Sequence, residues 1–476
     1  MRTVGITEKS VSGWHYFVLI LLGVCIALPI IPINSVAADS GENAQIIIYI
    51  ELPKSAGDRI QAELVSMRLT GRQTDCDLPI NQTSINTIGN AGNQMLVVDT
   101  PIPPGDYWSL DLVLDNIKAF VDRELVALTD SPESVSVKIN VNVPAETAEV
   151  IFIQWLPEFT IDEEIIFNSL FRQVHKDIPP PGGLIFVTNE KSNNITVINR
   201  FNYQVVDVIK VGRAPRGMVF SRAAQQLYVA NSKDNDVVVI DLNTRRRLRA
   251  IQLRFGDEPC RLALSADEQQ LYILNRGSNT LSVYDTRFFQ EIDRVTLGIT
   301  PTAIDIDRFS GYVYLSNLYS ENITVYQPIE RNAVAVISVS GTPTEILVDD
   351  REKILYLARE RQRILSLIDL RTGNTTATLN LCSPAVGLAY HRGSRQLYAA
   401  LGDCSEIAVL KPENELNLGR INLPGRPGLL TFDPESRYLL AVLPDTGELV
   451  IINAVSREII TKIEVGGQPY MAIVPE

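Results

Sequence analysis

Histidine is nearly missing from this chain of 476 residues, which has three: His15, His175 and His391. So few imidazoles exclude the clusters that hold copper, zinc or non-haem iron. There is no Cys-x-x-Cys-His for covalent haem and no Gly-x-Ser-x-Gly elbow for a hydrolase serine. The Asp-rich twelve-residue calcium loop is missing too, and Asp234-Asn235-Asp236 reads as an ordinary polar turn. Neither a metal nor a cofactor is therefore expected. Excess positive charge is lacking as well. Residues 39–160 carry 7 Lys/Arg against 18 Asp/Glu, a net of −11, whereas residues 184–476 carry 32 against 33. An acidic front region excludes bare nucleic acid and anionic membrane as partners, since both are themselves negative.

The first 38 residues differ in composition from the rest. Arg2 and Lys9 precede an uncharged, mostly apolar run from Phe17 to Ile33, and Ser35, Ala37 and Ala38 follow. Basic start, apolar middle and small-residue end is the order of a Sec signal peptide, cleaved after Ala37 or Ala38. An uncleaved anchor is the alternative, disfavoured by Pro29 and Pro32. No membrane span is expected after cleavage, and the location is periplasmic or extracellular, at the cell surface.

Residues 39–157 alternate apolar and polar in short runs: Ala44–Leu52, Ile60–Leu69, Met95–Asp99, Tyr107–Leu114, Ser134–Val143 and Glu149–Trp155. Period-two patterning between turn residues predicts a small antiparallel β-sandwich. Residues 158–178 read as one amphipathic helix, with Thr160 and Glu163 as a capping box and Ile166, Leu170 and Val174 four apart. Pro179-Pro180-Pro181-Gly182-Gly183 completes a helix-and-linker segment over 158–183 as a stiff spacer.

From residue 184 to 476 one unit recurs seven times. Its marker strand begins at Ile185, Leu227, Leu271, Val313, Leu355, Leu397 and Leu439, at spacings of 42, 44, 42, 42, 42 and 42. A second strand begins ten residues later, a third follows, and a fourth starts after a proline at 215, 259, 301, 343, 384, 427 or 469. Four short strands per repeat, seven times, predict an all-β fold dominated by a seven-bladed β-propeller. The first repeat lacks its innermost strand and the segment Pro469–Pro475 supplies one, so the C-terminal strand is expected to close the ring.

The strand Ile185–Asn189 and its copies Leu227–Asn231, Leu271–Asn275 and Val313–Asn317 resemble the YVTN repeat of bacterial and archaeal surface and periplasmic propellers. Repeats five to seven depart from it, with Arg359, Leu401 and Leu443 where the Asn stands. The resemblance implies a binding or scaffolding role in the envelope, with no common ligand. The stretch Ile102–Tyr107 weakly resembles exported transthyretin-like or carbohydrate-binding sandwich domains, from which no activity carries over.

The propeller mouth lies where the innermost strands begin. In repeat register the residues with strong chemistry there are Arg216, Arg261, Glu345 and Tyr470. Arg216 and Arg261 come from adjacent repeats and are candidates to hold a carboxylate or phosphate together. The array's two-residue insertion, near Phe255–Glu258, borders the same mouth. Arg359, Arg361 and Arg363 lie in a mouth loop, and Arg245–Arg247 form a basic turn that is a candidate to dock the acidic front domain. Cys382 and Cys404 are centred on the same turn, His391–Gln396, which predicts a disulfide across the open end of a hairpin. No catalytic constellation emerges. The expectation is therefore an exported non-enzymatic protein binding a protein, peptide or glycan partner in the cell envelope. The alternative is a lactonase- or lyase-type enzyme acting at the mouth.

Overall fold

A computed structural model describes residues 44–53, 60–72, 74–87, 90, 92–121, 124–129, 132–161, 165–435 and 437–475. The signal-peptide segment 1–38 and Glu163 of the expected capping box lie outside them. The chain is all-β: a front sandwich followed by a seven-bladed propeller.

The front domain has ten strands: β1 (Ala44–Glu51), β2 (Ile60–Gly71), β3 (Cys76–Leu78), β4 (Ser84–Asn86), β5 (Gln94–Ile102), β6 (Gly105–Val121), β7 (Glu124–Ala127), β8 (Glu133–Val143), β9 (Ala148–Ile161) and β10 (Ile165–Val174). One sheet runs β10-β9-β1-β5; the other runs β3-β2-β6-β7, with β4 on β2 and β8 on β6. Pairing is antiparallel except between β1 and β9, which are parallel.

The expected helix over 158–178 is instead the end of β9 and all of β10, a hairpin that pairs Phe171 with Trp155 and Val174 with Phe152. The reason is geometric. A spacing of four is even, so residues four apart, such as Leu170 and Val174, share a face in a strand as well as in a helix. The other set, Phe167, Ser169 and Phe171, faces the core. Phe171 stacks on Trp155 at 6.0 Å, and Trp155 Nε1 donates to Ser169 Oγ at 2.9 Å. Leu170 points to solvent. The sandwich thus runs on to Val174, well past the boundary expected at 157.

Residues 41–476 form a single compact unit, so Pro179–Gly183 is no free spacer. Strand β1 shows why. Ile46, Ile48 and Ile50 fill the sandwich core, whereas Ile47 and Tyr49 join Val187, Val205, Leu440, Leu449 and Ile463 of the propeller. Buried on both faces, β1 reads as a continuous apolar run. Polar contacts fix the register of the two domains: Leu96 N donates to Glu464 Oε2 at 2.7 Å and Val205 N to Gln94 Oε1 at 2.6 Å. Lys176 pairs with Glu51. The basic turn is engaged through Arg245, whose Nε lies 2.6 Å from Asp207 Oδ2 on blade one.

Each propeller blade is a four-stranded antiparallel sheet. Blade one consists of Leu184–Asn189, Asn194–Asn199 and Gln204–Lys210, completed by the C-terminal strand Pro469–Ile473. Phe186 pairs with Ile473 and Asn189 with Pro469, so the ring closes without an open edge. The repeat asparagines donate from Nδ2 to the residue five positions on, and all but Asn231 also to the residue seven on: Asn189 to Asn194 Oδ1 and Thr196 Oγ1, Asn275 to Thr280 Oγ1 and Ser282 Oγ, each within 3.0 Å. They tie the second strand to the third at the mouth.

Candidate functional site

The innermost strands line the channel, and most bulge at the residue after their first proline. The pairing shifts between Pro259 and Arg261, Pro301 and Ala303, Pro343 and Glu345, and across Tyr470. A bulge turns two successive side chains toward the same opening. In blade six the shift falls between Ala385 and Gly387, so Val386 takes the bulge, one residue later than repeat counting from Pro384 places it.

The structure brings the four expected mouth residues together. Arg261 of blade three reaches past blade four to Glu345 of blade five, Nη2 to Oε2 at 2.6 Å, with both side chains about one-seventh exposed. Tyr470 stands between the arginines, its ring centroid 5.7 Å from the Arg216 guanidinium carbon and 5.3 Å from that of Arg261. Arg216 Nη2 donates to Glu190 Oε1 at 2.8 Å. The arginines therefore do not form one two-armed clamp; each has its own acid, and a phenol separates them. Close approach of the strands is required, because a Cβ on Gly217 would lie 2.7 Å from Arg261 Cα.

Glu345 is the electrostatic centre. Burial pushes its carboxyl up to about 7; Arg261 pulls the other way, and Asp305 adds to the rise. Asp305, on the innermost strand of blade four, is itself pushed up to about 6 by burial, although the backbone N–H groups of Val348 and Ile306 stabilise its charge. The negative charge of Asp305 thus makes Glu345 hold its proton more tightly, while Arg308 opposes the rise at Asp305 itself. Burial also raises the Tyr470 hydroxyl and the Cys260 thiol, which packs between Leu274 O and Pro301 O. The Nε atoms of Arg216 and Arg261 are buried without a partner in the protein. These donors, a phenol and a carboxyl pushed up to about 7 make a cluster whose chemistry suits an anionic or carbonyl-bearing guest.

Sequence reasoning missed Asp305 and Glu190. A signal for Asp305 exists: the register-equivalent residues in the other blades are Val219, Ala263, Leu347, Ala389, Thr431 and Ile473, none of them acidic. Asp257 of the insertion, expected near the mouth arginines, instead accepts from Arg294 Nη2 at 2.9 Å. Cys382 and Cys404 are brought together as two thiols, Sγ to Sγ 3.5 Å. With Glu406 they form one group of possible metal-ligand atoms, all within 4.8 Å of one another, which the expectation of no metal site did not anticipate. Among the described residues no helix is long and apolar enough to cross a membrane.

Comparison with known proteins adds two findings. The family described as "Lactonase, 7-bladed beta-propeller" matches residues 202–334. Among solved structures, dihydro-heme d1 dehydrogenase NirN in complex with DHE is similar at 16% identity and a TM-score of 0.51, covering 63% of this chain and 77% of that one. Kuenenia stuttgartiensis hydrazine synthase is similar at 16% identity and a TM-score of 0.52, covering 59% of this chain and 97% of that one. The comparison with curated proteins returns no match. The structural likeness shows the propeller fold. The lactonase match over residues 202–334 overturns the expectation of a non-enzymatic scaffold.

Proposed function

We propose that the protein is a propeller enzyme that opens a lactone at the channel mouth, with Glu345 as general base. The observation that carries this reading is the Glu345 carboxyl, sunk in the mouth, raised to about 7 and held at 2.6 Å by Arg261. A base effective at neutral pH needs a pKa near the working pH, which an ordinary glutamate lacks. In its ionised form Glu345 takes a proton from water attacking the ring carbonyl. Negative charge then develops on the carbonyl oxygen, and the unpaired Nε donors of Arg261 and Arg216, with the Tyr470 hydroxyl, are the groups available to stabilise it. Protonated Glu345 afterwards returns its proton to the leaving alkoxide.

The lactonase likeness over 202–334 supports this choice of reaction and includes Arg216 and Arg261. We further propose that the repeat is of the YVTN type, carried by Asn189, Asn231, Asn275 and Asn317, and that the enzyme works outside the cytoplasm behind the leader of residues 1–38. The test is hydrolysis of a panel of five- and six-membered lactones by the purified chain, followed by acid release. Turnover that E345Q lowers by about a hundredfold or more supports the reading. No turnover of any lactone, or turnover unchanged in E345Q, sinks it.

A further inference from the structure

The mouth loop of blade five poses a separate problem of charge. In blades one to four the marker strand ends in asparagine, and the Oδ1 atoms of Asn189, Asn231, Asn275 and Asn317 are buried without a donor in the protein. Blade five inverts the polarity. Arg359 is 4% exposed, and its guanidinium makes one hydrogen bond, Nη1 to Ser366 Oγ at 2.6 Å. Its Nε has no partner, and among the described residues no carboxylate pairs with it. The other arginines sunk in the mouth differ: Arg216 has Glu190 and Arg261 has Glu345.

An arginine cannot discharge the cost of burial by losing its proton. Burial lowers the Arg359 pKa with no acid acting against it. A second donor lies beside it. The side-chain amide of Gln362 crowds the position a Cβ would take on Gly341, and Arg359 Cδ lies 3.4 Å from the same point. Gly341 has φ +86°, so no other residue fits there without strain. Gln362 makes no hydrogen bond among the described residues. Exposed Arg361 and Arg363 add positive potential on the same loop.

We propose that blade five binds a small monoanion, a halide or a carboxylate, between the guanidinium of Arg359 and the amide of Gln362. The site is independent of the lactone reading, because it needs neither Glu345 nor turnover. The anion supplies the acceptor that the repeat asparagine carries in blades one to four.

The test is thermal unfolding of the full chain titrated with bromide in one arm and formate in the other, at constant ionic strength maintained with the sulfonate isethionate. Wild-type Tm is expected to rise with the logarithm of anion concentration above Kd, by about 3 °C at a hundredfold excess. Arg359→Asn, which installs the residue of blades one to four, is expected to give a flat titration. If that variant fails to fold, Arg359→Leu, which follows Leu401 and Leu443 of blades six and seven, takes its place. Response to bromide identifies an inorganic ion as a sufficient occupant, and response to formate alone identifies a carboxylate. An anomalous bromide peak within hydrogen-bond reach of Arg359 Nε supports the same site. Identical titrations of wild type and variant overturn it.

Discussion

The channel mouth has two unlike arcs. Blades one, two, three and five contribute Tyr470, Arg216, Arg261 and Glu345, a phenol and charges that touch one another. At the equivalent places blades six and seven offer Val386, Gly387, Gly428 and Leu429. One repeat therefore carries both a charged cluster and plain ring closure, and the difference lies in the two bulged residues of each innermost strand. Glycine allows strands to touch in both arcs: a Cβ on Gly387 would lie 2.5 Å from Gly428 O, as one on Gly217 would lie 2.7 Å from Arg261 Cα. In the active arc, side chains occupy the channel.

The contrast can be broken most sharply at Glu345. E345Q keeps the shape but removes the base, and a fall of about a hundredfold or more in kcat is expected, measured by acid release. Next in size is the pH dependence. Below about 7 Glu345 is protonated, so kcat/KM should rise with pH through that value. Arg261→Ala should move this midpoint upward by about one unit or more, since the cation opposing the rise is gone. A pH profile unchanged in that variant would separate Glu345 from the chemistry.

Stability should show the opposite sign from activity. Glu345 and Asp305 titrate at about 7 and about 6 in the folded chain, above their ordinary values of 4.5 and 3.8. The folded state thus binds protons that the unfolded state releases. Stability should be greatest below the ordinary values and fall as pH rises toward 7. Denaturant midpoints across pH 4–8, compared between wild type and D305N, check this; an equal slope in both would count against it.

The quiet arc yields smaller effects. We propose that Cys382 and Cys404 pair under oxidising conditions, closing a loop of roughly 20 residues worth about 3 kcal/mol. Unfolding with and without reductant, and the mass of unreduced peptides, test this; free thiols in the oxidised protein would refute it. Smallest of all, Val386→Ala should change lactone turnover by less than about twofold and stability by about 0.5 kcal/mol or less.

Much of the architecture is legible in the residues, and the failures share a cause. Period-two strands and a 42-residue repeat define the blades, and the unpaired first and last strands predict closure. The same alternation misleads at Ile166, Leu170 and Val174, where even spacing serves helix and strand alike. Naming Arg216, Arg261, Glu345 and Tyr470 requires only counting from a proline. Their partnership is hidden, because Arg261 reaches over blade four to Glu345 and Glu190 intercepts Arg216. Such pairing depends on the width of the channel and the length of a side chain, which repeat register does not encode. Asp305 escapes notice because the count from each proline stops at the second residue, whereas Asp305 lies four beyond Pro301.

Strand Pro469–Ile473 carries Tyr470 and is also the piece that closes blade one. The phenol between the two arginines therefore arrives with the strand that follows the other blade strands in chain order. A nascent or proteolytically opened ring would lack its clasp and its phenol together, so no half-built form should be able to act on substrate. Catalytic competence would then report directly on whether the ring has latched.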